Sequence, residues 1–232
     1  MKFTLPPIRS WHLPLIHRRL TRHEMIVLGV IVIIGLARVF YYDIRPGAAE
    51  RYLSSAREAA TQNDLAKAEK DYKKALKDND ADQVSVWREL GFIYQMQRQP
   101  AKAIEAYQKV LELEPDEATV LNNLANSYRE IGDYPKAVEA YQKAIKINPL
   151  FTMAIINLSH VYHLQAKDDE AIKLLEEHFD RTKRTQDLGF QLVATYQQVS
   201  QTEAAKRIVK ELVTIDSEHP KTKALVAELG VR

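Results

Sequence analysis

The chain has 232 residues, no cysteine and only seven glycines. The missing cysteine excludes disulfides, thiol nucleophiles and thiolate metal sites, and the scarce glycine leaves no loop able to cradle a phosphate. The formal charge of +2 joins unlike parts: residues 1–42 hold six Lys and Arg against Glu24, while the rest holds 27 basic and 30 acidic side chains, so no basic face for nucleic acid is expected there.

Residues 1–24 form a basic tail with Lys2, Arg9, Arg18, Arg19 and Arg22, together with Trp11 and three prolines. From Met25 to Ala37 the chain is uncharged and rich in Ile, Val and Leu, and after Arg38 it resumes as Val39, Phe40, Tyr41 and Tyr42. As a helix, residues 25–42 would span roughly 27 Å, close to the ~30 Å of a bilayer's hydrocarbon. Arg38 stands near the end, where it can reach the headgroups, and the three aromatics suit the interface. A buried soluble helix and a cleaved signal peptide, with Gly35 to Ala37 as the small-residue site, are the competing readings. The reading adopted is an uncleaved single-pass anchor. The basic excess before it places the amino terminus in the cytoplasm and exports residues 43–232, into the periplasm if the cell is a Gram-negative bacterium. Residues 43–48, with Pro46 and Gly47, read as a short linker.

Beyond the linker the chain repeats. Trp87, Leu90, Gly91 and Tyr94 have the spacing W-x2-L-G-x2-Y and are followed by Ala103, Tyr107 and Pro115. A step of 34 residues gives Leu124, Ala125, Tyr128, Ala137, Tyr141 and Pro149; further steps give Leu158, Ser159, Tyr162, Ala171 and Leu175, then Leu192, Val193, Tyr196, Ala205 and Val209. Upstream, at an offset of 35, come Tyr52, Ala56, Ala68 and Tyr72. In packing terms, small Gly91 and Ala103 allow two helices to approach while Trp87, Leu90, Tyr94 and Tyr107 fill the space around the crossing. The outer units drift, with His178 in place of a small residue and Lys183 and Ser217 in place of the closing proline.

This pattern resembles the tetratricopeptide repeat family, whose unit is a 34-residue pair of antiparallel helices. The resemblance implies an all-α, right-handed superhelical solenoid of about five repeats (49–83, 84–117, 118–151, 152–185 and 186–219) with a capping helix over 220–232, preceded by the membrane helix. It also implies that most tyrosines are packing residues and that the first helix of each unit faces an inner groove. Groove positions would then include Arg88 and Phe92; Asn122, Asn123 and Asn126; Met153, Ile156, Asn157 and His160; and Phe190. The amides could pair with the main chain of an extended peptide, and the apolar members could take its side chains. The alternative is a solvated polar face with scattered hydrophobes. Of the chaperone-binding members' carboxylate clamp, only Arg88 and Asn123 are matched.

His160 and His163 lie three apart without an evident third ligand, so no metal site is expected, and Asp168, Asp169 and Glu170 read as an acidic turn. No nucleophile, base and oxyanion donor come together, so neither catalysis nor a cofactor is expected. The functional expectation is a membrane-anchored scaffold that holds peptide segments of partner proteins during assembly or maturation of a membrane or exported complex. Bacterial proteins of this layout resemble chaperone-like subunits beside the secretion translocon and cytochrome c maturation factors. The alternative is a structural accessory subunit docked through its tail and membrane helix.

Overall fold

The structure is a computed structural model that describes residues 47–78, 81–181 and 185–231. The expected basic tail and membrane helix lie outside these residues. Among the described residues no helix is long and apolar enough to cross a membrane.

Eleven helices and no strand occur among the described residues. They are α1 (Ala48–Thr61), α2 (Leu65–Ala75), α3 (Gln83–Met96), α4 (Pro100–Leu113), α5 (Ala118–Glu130), α6 (Tyr134–Ile147), α7 (Thr152–Leu164), α8 (Asp168–Arg181), α9 (Gln186–Gln198), α10 (Thr202–Ile215) and α11 (Pro220–Leu229). Odd and even helices pair as hairpins, and the turn inside each hairpin is built the same way. One residue takes the left-handed conformation: Asn63, Arg98, Gly132, Ala166 or Ser200, with φ between 56° and 79°. Just beyond it an N–H donates back to a carbonyl in the preceding helix's last turns, as from Gln99 to Tyr94 (2.8 Å), Asp133 to Tyr128 (2.9 Å), Lys167 to Tyr162 (2.9 Å) and Gln201 to Tyr196 (2.8 Å). This is the Schellman closure, and it satisfies carbonyls that a helix end leaves orphaned. Asp64, Asp82 and Asp133 then cap α2, α3 and α6 by accepting backbone N–H bonds. Such short, closed turns oblige the paired helices to run antiparallel.

Packing within a hairpin follows a size rule. A Cβ added to Gly91 would stand 2.4 Å from Cε1 of Tyr107, so the ring lies flat against bare backbone. In the next units the corresponding buried pairs are Ala125 with Tyr141, Ser159 with Leu175, and Val193 with Val209. Where the first member is Gly or Ala the second is tyrosine, and where it is Ser or Val the second is a smaller leucine or valine, which keeps the packed volume of the crossing nearly constant. The core runs in two clusters, one from α1 to α7 and one from α7 to α11, and Ile145 and Leu174 pack against both. Val213 of α10 and Val226 of α11 line an open cavity of about 510 Å³.

His178 fills the slot held by Ala75, Val110, Ala144 and Leu212 in the other units and is buried. Burial pushes its pKa below the usual histidine value, partly offset by Glu177 and by the backbone carbonyl of Pro149. A group whose folded pKa is depressed takes up its proton more readily when unfolded, so its contribution is complete above pH ~6.5 and shrinks as pH falls below it. Stability should therefore drop between pH ~7 and pH ~5, and His178→Leu should flatten that slope in urea titrations repeated across the range.

Candidate functional site

Successive odd-numbered helices, α3 with α5, α5 with α7 and α7 with α9, come into direct contact, and successive even-numbered helices do not do so to the same degree. The odd helices therefore line the inner side of the curve. On this face a chain of amides runs across three units. The Tyr107 hydroxyl donates to Oε1 of Gln95 (2.7 Å), and Nε2 of Gln95 donates to the Asn123 carbonyl (3.0 Å) and to Oγ of Ser127 (3.1 Å). Nδ2 of Asn122 donates to Oδ1 of Asn123 (3.2 Å), and Nδ2 of Asn157 donates to Oδ1 of Asn122 (3.1 Å). The Tyr141 hydroxyl donates to Oδ1 of Asn126. The bonds fix the flanking amides, and among the described residues Oδ1 of Asn157 and Nδ2 of Asn126 remain without a protein partner.

The face differs from the expected groove at several residues. Phe190 is not an apolar island: it is 5% exposed, tilted against the His219 ring with centroids 5.0 Å apart, with Nζ of Lys221 4.6 Å from its centroid. The start of α11 covers it. Asn122 is buried as well, and its amide bonds to Asn123 and Asn157. Arg88 reaches Glu114 (3.3 Å) and Glu117 (3.9 Å) in the turn of the next unit, which neutralises the one cation that matched a carboxylate clamp. Phe92 and Met153 are open, at 52% and 57% exposure, while Asn123, Asn126, Ile156, Asn157 and His160 are half-buried.

His163 binds Asp168 through Nδ1 at 2.6 Å, tying the end of α7 to the start of α8. Among the described residues no group of three His, Asp or Glu could hold a metal ion. Asp168, Asp169 and Glu170 form the first turn of α8 instead of a loop, where negative charge suits the helix's positive end. The buried tyrosines are not poised as acids. Burial pushes Tyr72 and Tyr196 up to about 12, and Tyr107 and Tyr141 higher still.

Tetratricopeptide repeat models match residues 82–149 and 154–188. The helices from Ala48 to Leu229 have the fold of a tetratricopeptide repeat solenoid. A tetratricopeptide repeat protein from Parabacteroides merdae has a similar structure, with TM-score 0.66, 19% identity and coverage of 78% of this chain and 72% of that one. MamA protein gives 0.64 at 24% identity over 75% and 94% of the two chains, and Pseudomonas aeruginosa pilF gives 0.59 at 18% over 78% and 82%. At these identities the likeness concerns the fold. No protein of curated function matches the chain. Repeats of this kind are protein-interaction scaffolds, and the inner face is the surface on which this one offers fixed polar groups beside exposed hydrophobes.

Proposed function

We propose that the chain is a membrane-tethered scaffold whose tetratricopeptide groove holds extended segments of partner proteins during assembly or maturation of a complex at the membrane. The observation that carries this reading is the amide chain from Gln95 to Asn157, flanked by Phe92 and Met153. A strip whose side chains are already locked by one another loses little conformational freedom when a peptide docks, so more of the contact energy survives as affinity. The amides serve the peptide's main chain, and Phe92 and Met153 receive its apolar side chains. Residues 25–42 supply the tether, which raises the groove's effective concentration near membrane clients and lets modest affinity suffice.

Phe92 and Met153 are exposed, so replacing both with Ser should leave the fold intact. Photocrosslinking from position 126 in the full chain should capture a defined partner, and Phe92→Ser with Met153→Ser should weaken that capture about tenfold. Equal capture by the double variant would discard the groove.

A further inference from the structure

The turn joining α6 to α7 is unlike the others. Ile147, Leu150 and Met153 are 40%, 62% and 57% exposed within seven residues. Elsewhere among the described residues the exposed large hydrophobics are Phe92 with Met96 on α3, and Leu113, Ile131, Leu164 and Ile215 one at a time; Met96, Ile131 and Leu164 stand on the opposite edge of the array. The charge pattern is equally uneven. The chain carries 31 acidic residues, yet none lies between Glu139 and Asp168, a stretch that includes Lys143, Lys146 and Lys167. Lys143 pairs with Glu139 at 2.7 Å. Asp116 shares the hollow beside Ile147 with Lys143 and Lys146, and in the same neighbouring turn Glu114 and Glu117 are engaged by Arg88.

Antiparallel hairpins place the start of every odd helix and the end of every even helix on one edge. Ala48, where the array begins, is therefore on the same edge as this turn, and only residues 43–47 separate it in sequence from the apolar run. Apolar side chains at a loop tip with lysines one and two turns behind them match the two layers of an anionic bilayer surface: acyl carbon at the tip, phosphate at the lysines. A soluble partner would need its own apolar patch ringed by acid to meet the same demand.

We propose that this turn is a membrane-contact site: Ile147 and Leu150, with Met153 at the corner shared with the groove, enter the interface of an anionic bilayer while Lys143 and Lys146 meet its phosphates. The proposal rests on the tether of residues 25–42. The contact would hold the array edge-on to the membrane, with the inner face open along the bilayer.

The cysteine-free sequence makes the test direct. Leu150→Cys and, on the opposite edge, Ile131→Cys would each be labelled with an environment-sensitive NBD fluorophore. Each full chain would then be reconstituted into phosphatidylglycerol–phosphatidylcholine vesicles carrying lipid-borne nitroxide. Quenching at position 150 should exceed that at position 131 at least about threefold. Adding Lys143→Glu and Lys146→Glu should bring the two positions level. A chain that floats with the vesicles but is quenched equally at both positions overturns the contact and leaves the tether standing. A chain that does not float overturns both. A label at position 150 that responds only after protein is added assigns the turn to a protein partner and overturns the lipid assignment.

Discussion

Replacing Gly91 with Val is expected to destabilise the array by roughly 3 kcal/mol, at the upper end of what overpacking a core costs. The ring it meets cannot retreat. Tyr107 is fully buried, and its hydroxyl is held by Gln95 2.7 Å away. Even one added carbon would sit 2.4 Å from Cε1 and 2.7 Å from Cδ1. Removing Gly from a helix interior returns only about 0.5 kcal/mol, too little to compensate. The repeats themselves supply the rescue, because the fifth unit places Val193 and Val209 at these two positions. Gly91→Val combined with Tyr107→Val should therefore be more stable than the sum of the single effects by at least ~1 kcal/mol. Urea midpoints for the four members of this cycle are the measurement. Strict additivity would mean that the size rule across units is coincidence. Hydrogen exchange should confine the damage of the single variant to α3, α4 and their neighbours, since each unit of a solenoid leans only on adjacent ones.

That rule also shows which parts of the molecule could be read from its letters. Small Gly91 beside large Tyr107 is visible in the spacing W-x2-L-G-x2-Y followed by A-x3-Y, because close approach of two helices demands a particular size at each site. The all-helical, repeated fold follows from the same demand recurring every 34 residues. Gly189 carried no such signal. It stands in the register of Trp87, Leu121 and Ile155, and the space left there is taken by Phe179 and Leu212, which approach within 3.0 and 2.7 Å of where its Cβ would be. Which distant side chain fills a gap is set by three-dimensional packing, and a linear pattern does not encode it.

The inner face was legible in its placement and less so in its chemistry. Counting positions along the first helices puts Asn122, Asn123, Asn126 and Asn157 on one surface, and the structure joins the amides of Asn122, Asn123 and Asn157 while Asn126 accepts from Tyr141. Counting does not say that Asn122 lies beneath the others, or that Arg88 bonds acids 26 and 29 positions downstream. Both outcomes depend on the offset between neighbouring hairpins, which arises from the whole stack. Asp168 to Glu170 illustrate a local version of the difficulty: three acids in a row suit a solvated turn and the first turn of a helix equally well, and the Schellman closure at Ala166 starts the helix just before them.

Phe190→Ala should separate a packing residue from a binding one. A buried phenylalanine cut to alanine loses about 3–5 kcal/mol, and a loss of that order is expected here. The ring is the floor on which α11 begins, with His219 beside it and Lys221 over its face. Thr222 and Leu225 are the buried residues of α11 itself, so without the ring its amino-terminal turn has little left to hold it. Amide exchange over residues 221–229 should speed up at least tenfold, a shift equivalent to about 1.4 kcal/mol of local opening. Partner capture from the amide face should persist at temperatures where the array remains folded, because Phe92, Gln95 and the amides of α5 lie two or three units away and Asn157, on the adjacent α7, is held by Asn122. Were Phe190 instead a groove residue open to ligand, the same substitution would weaken capture and leave stability within about 0.5 kcal/mol of the parent, the range of an exposed site.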